Sequence, residues 1–309
     1  MTEHLGRGPE GSNPLGFLCA IGAFNTLSHA LPHLNVRMRW EWHTGWKPLW
    51  SLDGHSTDQD LLNAIAANIG DGSEFLLGDN LRLKISQRDF RVFLLEALNR
   101  GNVASNRRRA DILAAYGSEQ TTGSREIRPT ALCLTHGQAH QNFLESIRLL
   151  AAETSKEDIS RALFFQWRYE DDGRKRSFRW DPLDDRRYAL RATDPSDSVK
   201  APLKIVRAAN RLAFEALPLF PTVPADRSIH TTAFVHNAQE VFFRWPLWKS
   251  PIRLDSLRSL LTLHELYGSS INPAILSARG LAALYQSRRF NVRQLTNLAP
   301  AAALWERWD

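Results

Sequence analysis

The sequence predicts an α+β fold in which helices and antiparallel hairpins are intermixed and no doubly wound sheet forms. Three observations carry this. Apolar residues recur at helical spacing in several windows, first at Leu15, Leu18, Ile21, Phe24 and Leu27. They alternate with polar residues in other windows, first from Val36 to Trp42. The two kinds of window do not follow the regular strand–helix–strand order that builds a parallel sheet.

The elements follow in order. Residues 1–12 are glycine-rich and polar and are expected to be mobile. Asn13 is placed to cap a helix with Pro14 in its first turn. Val36–Trp42 reads as a half-buried strand with Val36, Met38, Trp40 and Trp42 on one face, and Trp46–Leu52 as its return after the His43-Thr44-Gly45 turn. This hairpin carries four tryptophans: 40, 42, 46 and 50. Under one reading they are core, and under another a solvent-facing member stacks on a base or anchors a partner.

Ser86 with Asp89 predicts a helix start before Phe90, Phe93, Leu94 and Leu98. Residues 105–116 and 138–152 carry helical patterns, and Ser155 with Asp158 opens a helix reaching Phe165. Residues 173–176 read as a hairpin tip between strands Phe164–Tyr169 and Ser177–Trp180. A helix is expected over 203–217, strands near 229–235 and 240–245, a helix at 256–266 capped by Asp255, and a late strand at 281–287. A boundary near 153 gives α+β halves 1–153 and 154–309, and length equally allows one domain.

With 309 residues, 43% of them hydrophobic and 23% charged, the chain can bury a large core. A net charge of +6 permits contact with phosphate backbones. Cys19 and Cys133 lie in apolar runs and read as small buried hydrophobes of a reducing compartment. The N-terminus has no basic-then-apolar signal pattern, and Leu15–Leu31 is too polar to span a bilayer. A cytoplasmic protein without membrane contact is expected.

Several clusters could carry chemistry. His136 and His140 stand four apart, as metal ligands on a helix do, but the H-E-x-x-H pattern is absent and hydrogen bonds to backbone or a neighbouring segment are the favoured reading. Asp181, Asp184 and Asp185 could hold a divalent cation for nucleic-acid cleavage and, with His136 and His140, make a metal-dependent nuclease the alternative reading, yet Arg186 and Arg187 follow at once as counter-charges. Arg107-Arg108-Arg109 could grip phosphates or form a solvated, ion-paired run. Arg174-Lys175-Arg176 is a second candidate, and Arg288, Arg289 and Arg293 make a third basic cluster. No G-x-S-x-G, P-loop or G-x-G-x-x-G occurs, so catalysis has little support.

A series of stretches in fixed order carries a resemblance: Asn13-Pro14-Leu15-Gly16-Phe17-Leu18; Trp40 through Trp46-Lys47-Pro48; His136-Gly137-Gln138-Ala139-His140-Gln141-Asn142-Phe143-Leu144; Arg179-Trp180-Asp181-Pro182; Asp185-Arg186-Arg187-Tyr188; Ala209-Asn210-Arg211-Leu212-Ala213 with Glu215–Pro221; Thr231-Thr232-Ala233-Phe234; Trp245-Pro246-Leu247-Trp248; and Ser259-Leu260-Leu261. Together they resemble the large-subunit-like proteins of type I CRISPR effector complexes (Cascade), of the type I-U/I-G kind. The resemblance implies a non-catalytic subunit without cofactor or metal. Its partners would be the crRNA-containing Cascade backbone, target double-stranded DNA and a helicase–nuclease. It would recognise the protospacer-adjacent motif, aid R-loop formation and recruit that nuclease. Guide pairing reads the target in such a complex, so the protein needs phosphate grip, a short groove reader and a wedge. The resemblance supplies no base readers; the DNA-contact candidates 107–109, 174–176, Arg288, Arg289 and Arg293 rest on charge clustering.

Overall fold

The glycine-rich start is a strand. β1 (Thr2–Leu5) pairs antiparallel with the return arm of the tryptophan hairpin, Leu5 opposite Leu49 and Thr2 opposite Leu52. Past it the backbone runs against the core: Gly6 N–H donates to Pro48 O (2.8 Å), Gly8 to Leu163 O (3.1 Å) and Gly11 to Trp46 O (2.8 Å). A Cβ on Gly8 would stand 2.1 Å from the Ala162 carbonyl oxygen, so glycine here permits close approach rather than mobility. The expectation of a mobile N-terminus is corrected on that ground.

The computed structural model describes residues 1–100, 104–119, 125–135, 141–184, 203–225, 228–237, 240–292 and 295–307. After β1 come α1 (Pro14–Ala30), β2 (Arg37–Trp42), β3 (Trp46–Leu52), α2 (Asp58–Asn68), α3 (Gln87–Arg100) and α4 (Ala104–Ala115). Next are β4 (Gly117–Ser118), β5 (Arg128–Pro129), α5 (Phe143–Glu153), α6 (Lys156–Phe164), β6 (Asp171–Asp172), β7 (Lys204–Ile205) and α7 (Arg207–Phe214). The chain ends with β8 (Thr222–Ala225), β9 (Ser228–Thr231), β10 (Phe234–Asn237), β11 (Glu240–Trp248), α8 (Leu254–Leu261), α9 (Pro273–Ala278), β12 (Leu281–Val292), β13 (Leu295–Leu298) and β14 (Ala302–Glu306). Every strand pair among the described residues is antiparallel, so the fold is α+β without a doubly wound sheet.

α1 is the centre. The Asn13 side chain accepts from Leu15 N–H (2.8 Å) and Gly16 N–H (3.1 Å), capping it as the sequence predicts. Residues 14–27 are all buried, so the helix has no solvent face before its last turn. Phe17 stacks between Trp40 of one sheet and Trp245 of the other, at 6.0 and 5.8 Å. On another side α1 packs against α7 so closely that a Cβ on Gly22 would lie 1.9 Å from Leu212 O. The indoles of Trp245 and Trp248 donate to Gly11 O (2.8 Å) and Met38 O (2.7 Å), joining the three-stranded sheet β1-β3-β2 to the five-stranded sheet around β11 and β12. One apolar cluster holds residues from both sides of position 153.

Several local expectations shift. Val36, Met38 and Trp40 are buried, but Trp42 is 48% exposed at the hairpin end, edge-on to Trp46 at 5.4 Å. Residues 173–176 form a turn rather than a hairpin tip, because Asp171–Asp172 pairs with Lys204–Ile205. Ser177–Trp180 is irregular and buried, its Phe178 N–H bound to the Asn210 side chain (3.3 Å). Asp255 sits inside α8 and pairs with Arg258 rather than capping the helix. The late strand runs five residues past its predicted end, to Val292.

Candidate nucleic-acid interface

Three consecutive arginines on a helix point in three directions, because successive residues are turned by roughly 100°. Arg107 on α4 is exposed and paired with Asp111 at 2.8 Å. Arg108 turns inward, donating to Glu215 (2.7 Å) and Ile69 O (2.9 Å) and pairing with Glu74 at 3.0 Å. Arg211 of α7 reaches the same Glu215 oxygen at 2.6 Å, and also donates to Ile69 O. The two guanidiniums lie over the Phe75 ring, at 5.2 and 5.4 Å. This knot closes the C-terminal end of α2, where free carbonyls attract cations. Burial pushes the Glu74 carboxyl above its usual range, against the pull of Arg108. Arg109 is half-buried.

The 173–176 turn brings each cation its own acid. Arg174 pairs with Asp172 (2.8 Å), Lys175 with Glu145 (2.9 Å) and Arg176 with Glu153 (2.5 Å). Arg288 pairs with Glu240 at 2.9 Å. Arg289 is half-buried on β12, and Arg293 lies outside the described residues.

The acids of the 181–184 turn serve as hydrogen-bond acceptors inside the fold. Asp181 is buried and accepts from Tyr169 OH (3.0 Å), Asn13 Nδ2 (3.3 Å) and Leu183 N–H (3.0 Å). Asp184 accepts from the Ser177 hydroxyl. Between them Arg179 donates to Gln141 (3.0 Å), Asp184 O (3.0 Å) and Asn297 (3.2 Å). Among the described residues no group of three or more His, Cys, Asp or Glu is placed to hold a metal. His136, His140, Asp185, Arg186 and Arg187 lie outside the described residues. Burial pushes the Cys133 thiol up to about 12, which keeps it protonated at neutral pH.

The exposed positive charge gathers elsewhere. Residues 84–87 run antiparallel to 125–127: Gln87 N–H donates to Arg125 O (2.9 Å), Ile127 N–H to Ile85 O (3.0 Å), and Ser86 stands opposite Glu126. Ile85 and Ile127 face the core, so alternation turns Lys84, Glu126 and Arg128 to the outer face. Arg82, Lys84, Arg88, Arg125 and Arg128 are all exposed. Lys84 stands 3.9 Å from Glu126; the four arginines have no carboxylate within ion-pair distance among the described residues. Sequence reasoning passed over this ribbon. Its signal was the polar–apolar alternation of Arg82-Leu83-Lys84-Ile85, with a second arm some 40 residues on.

Among the described residues no helix is long and apolar enough to cross a membrane. Comparison with protein-family models and with curated proteins found no match.

Proposed function

We propose that this chain is a non-catalytic subunit of an RNA-guided Cascade-type complex that grips the duplex beside the target through the Lys84–Arg128 ribbon. The observation that carries the reading is the ribbon itself: five exposed cations on two adjoining segments, four of them arginines without a carboxylate partner among the described residues. Arginine and lysine held in one stripe neutralise successive phosphates and release counterions, which gives affinity without sequence. Target checking then belongs to the guide, and recruitment of a helicase–nuclease to surfaces the resemblance implies. The resemblance in ordered motifs supports the type I-U/I-G assignment.

The test is duplex binding by the full chain at about 50 mM and about 200 mM salt. A steep salt slope that flattens in the Lys84→Ala/Arg88→Ala/Arg125→Ala/Arg128→Ala variant supports the reading. Wild-type protein that ignores duplex at the lower salt ends it. A second reading, a subunit that contacts protein only, is favoured by one observation: α3 exposes Val92, Leu95 and Leu98 along one stripe. It predicts no duplex affinity and stable co-purification with a partner subunit.

A further inference from the structure

Arg289 stands in unusual company for a half-buried cation. Its β12 position is opposite Val241 of β11 and Leu298 of β13, and Val241 is opposite His236 of β10. His236, Val241, Arg289 and Leu298 therefore form one row across four strands, their side chains on the same face. At the β13 end the row is closed by buried Leu298; at the β10 edge His236 is exposed. Arg288, the next residue, goes to the opposite face and pairs with Glu240.

Four other enclosed arginines have acceptors. Arg211 has Glu215, Arg207 has Asp158, Arg179 has Gln141 and Asn297, and Arg244 has Leu266 O and Gln286. Arg289 has neither carboxylate nor carbonyl within hydrogen-bond distance among the described residues. Among the described residues the titratable group that acts on it is Cys133, and those that act on His236 are His230 and Arg289; none is a carboxylate. Burial lowers the pKa of Arg289, and burial, then His230 and Arg289, lowers that of His236. A guanidinium withdrawn from water without an acceptor is costly, and its five donors on the same sheet face as an imidazole suit an anion.

We infer that the His236–Arg289 row is a phosphate-binding site, with Arg289 as its anchor and His236 as its outer donor. The site takes a phosphate group, whether from a nucleic-acid backbone or free in solution. Only the first source rests on the nucleic-acid reading above. His236 adds charge only when protonated, so binding strengthens as pH falls.

The experiment uses the full chain, with inorganic phosphate and pyrophosphate as probes, at about pH 6 and about pH 8. Phosphate is expected to raise the unfolding temperature, more at the lower pH. Arg289→Met is expected to weaken phosphate binding by about tenfold or more, the size of a lost charge-assisted hydrogen bond. Without phosphate the same variant is expected to be at least as stable as wild type, since it removes a half-buried cation that has no partner among the described residues; an arginine with a purely structural role would give the opposite. The His236→Gln variant should lose the pH dependence while keeping the binding seen at about pH 8. Phosphate binding unchanged in Arg289→Met, or no binding by wild type at millimolar phosphate, overturns the inference. Duplex affinity separates the sources. A parallel loss in Arg289→Met assigns the site to a backbone phosphate; an unchanged duplex affinity with lost phosphate binding assigns it to a free one. The ribbon variant should keep phosphate binding while losing duplex, so failure of one proposal is visible without failure of the other.

Discussion

Arg211 and Lys84 carry the same charge in opposite surroundings. Arg211 is fully buried, its charge balanced at 2.6 Å by Glu215 and its donors turned to the end of α2. Lys84 is exposed on a ribbon whose four arginines have no carboxylate partner among the described residues. The first arrangement fixes how helices meet; the second leaves field in the solvent, where a polyanion can use it. What distinguishes a structural cation from a recruiting one is its counter-charge. Runs of arginine in the sequence do not report that, and the two densest runs, 107–109 and 174–176, are the ones whose charges the fold mostly answers internally.

The comparison breaks most visibly from the inside. Glu215→Gln leaves Arg211 and Arg108 facing each other without their shared carboxylate, at a cost of about 3–5 kcal/mol in denaturant unfolding. Folded Glu215→Gln protein should bind duplex as wild type does. From the outside, the fourfold ribbon variant should leave stability nearly unchanged, since surface substitutions usually stay within about 0.5 kcal/mol each. Its duplex affinity should fall by about two to three orders of magnitude at low salt, and its log–log salt slope should drop by about 3–4, one contact per cation. A ribbon variant that unfolds, or a Glu215→Gln protein that loses duplex selectively, would erase the distinction.

Legibility followed locality. The Asn13 cap, the 36–52 hairpin and the Ser155–Asp158 capping box are fixed by neighbours within a few residues, and all were readable. β1 was misread because glycine signals freedom in an open chain but closeness against Trp50 and Ala162. The Ser177–Trp180 segment alternates like a strand, yet its bonds go to Asn210, Gln141 and Leu132, each more than 30 residues away. The ribbon needs segments 84–88 and 125–128 side by side, and no local pattern reports that pairing. The row at Arg289 was half visible: Arg289 stood out as a cation, while its lack of a counter-charge is a property of the fold alone.

The arginine run offers a sharper, smaller test. Arg108→Met should cost about 2 kcal/mol, because it strips Glu74 and Glu215 of a shared donor in a partly enclosed site. Arg107→Met, one residue away and solvent-exposed, should leave the unfolding midpoint where it is. Equal effects would mean that burial does not divide this run.

The smallest expected effect concerns the 173–176 turn. Hydrogen bonds from Arg176 outweigh partial burial and, with the charge of Arg207, hold the Glu153 carboxyl below the usual carboxylate range. The folded state therefore binds fewer protons here than the unfolded state does, and stability rises with pH across the interval between the two values. The contribution is complete above the unfolded value of about 4.3 and is lost as pH falls through the lower folded one. Wild type and Glu153→Gln should accordingly differ in denaturant midpoint near neutral pH and converge in acid. Carboxylate titration by NMR would place the inflection. Curves that stay parallel down to acid unfolding would mean that Arg176 is not held by charge. Its guanidinium would then count with the ribbon as free to meet an outside phosphate, and the division between answered and unanswered cations would have to be redrawn at this turn.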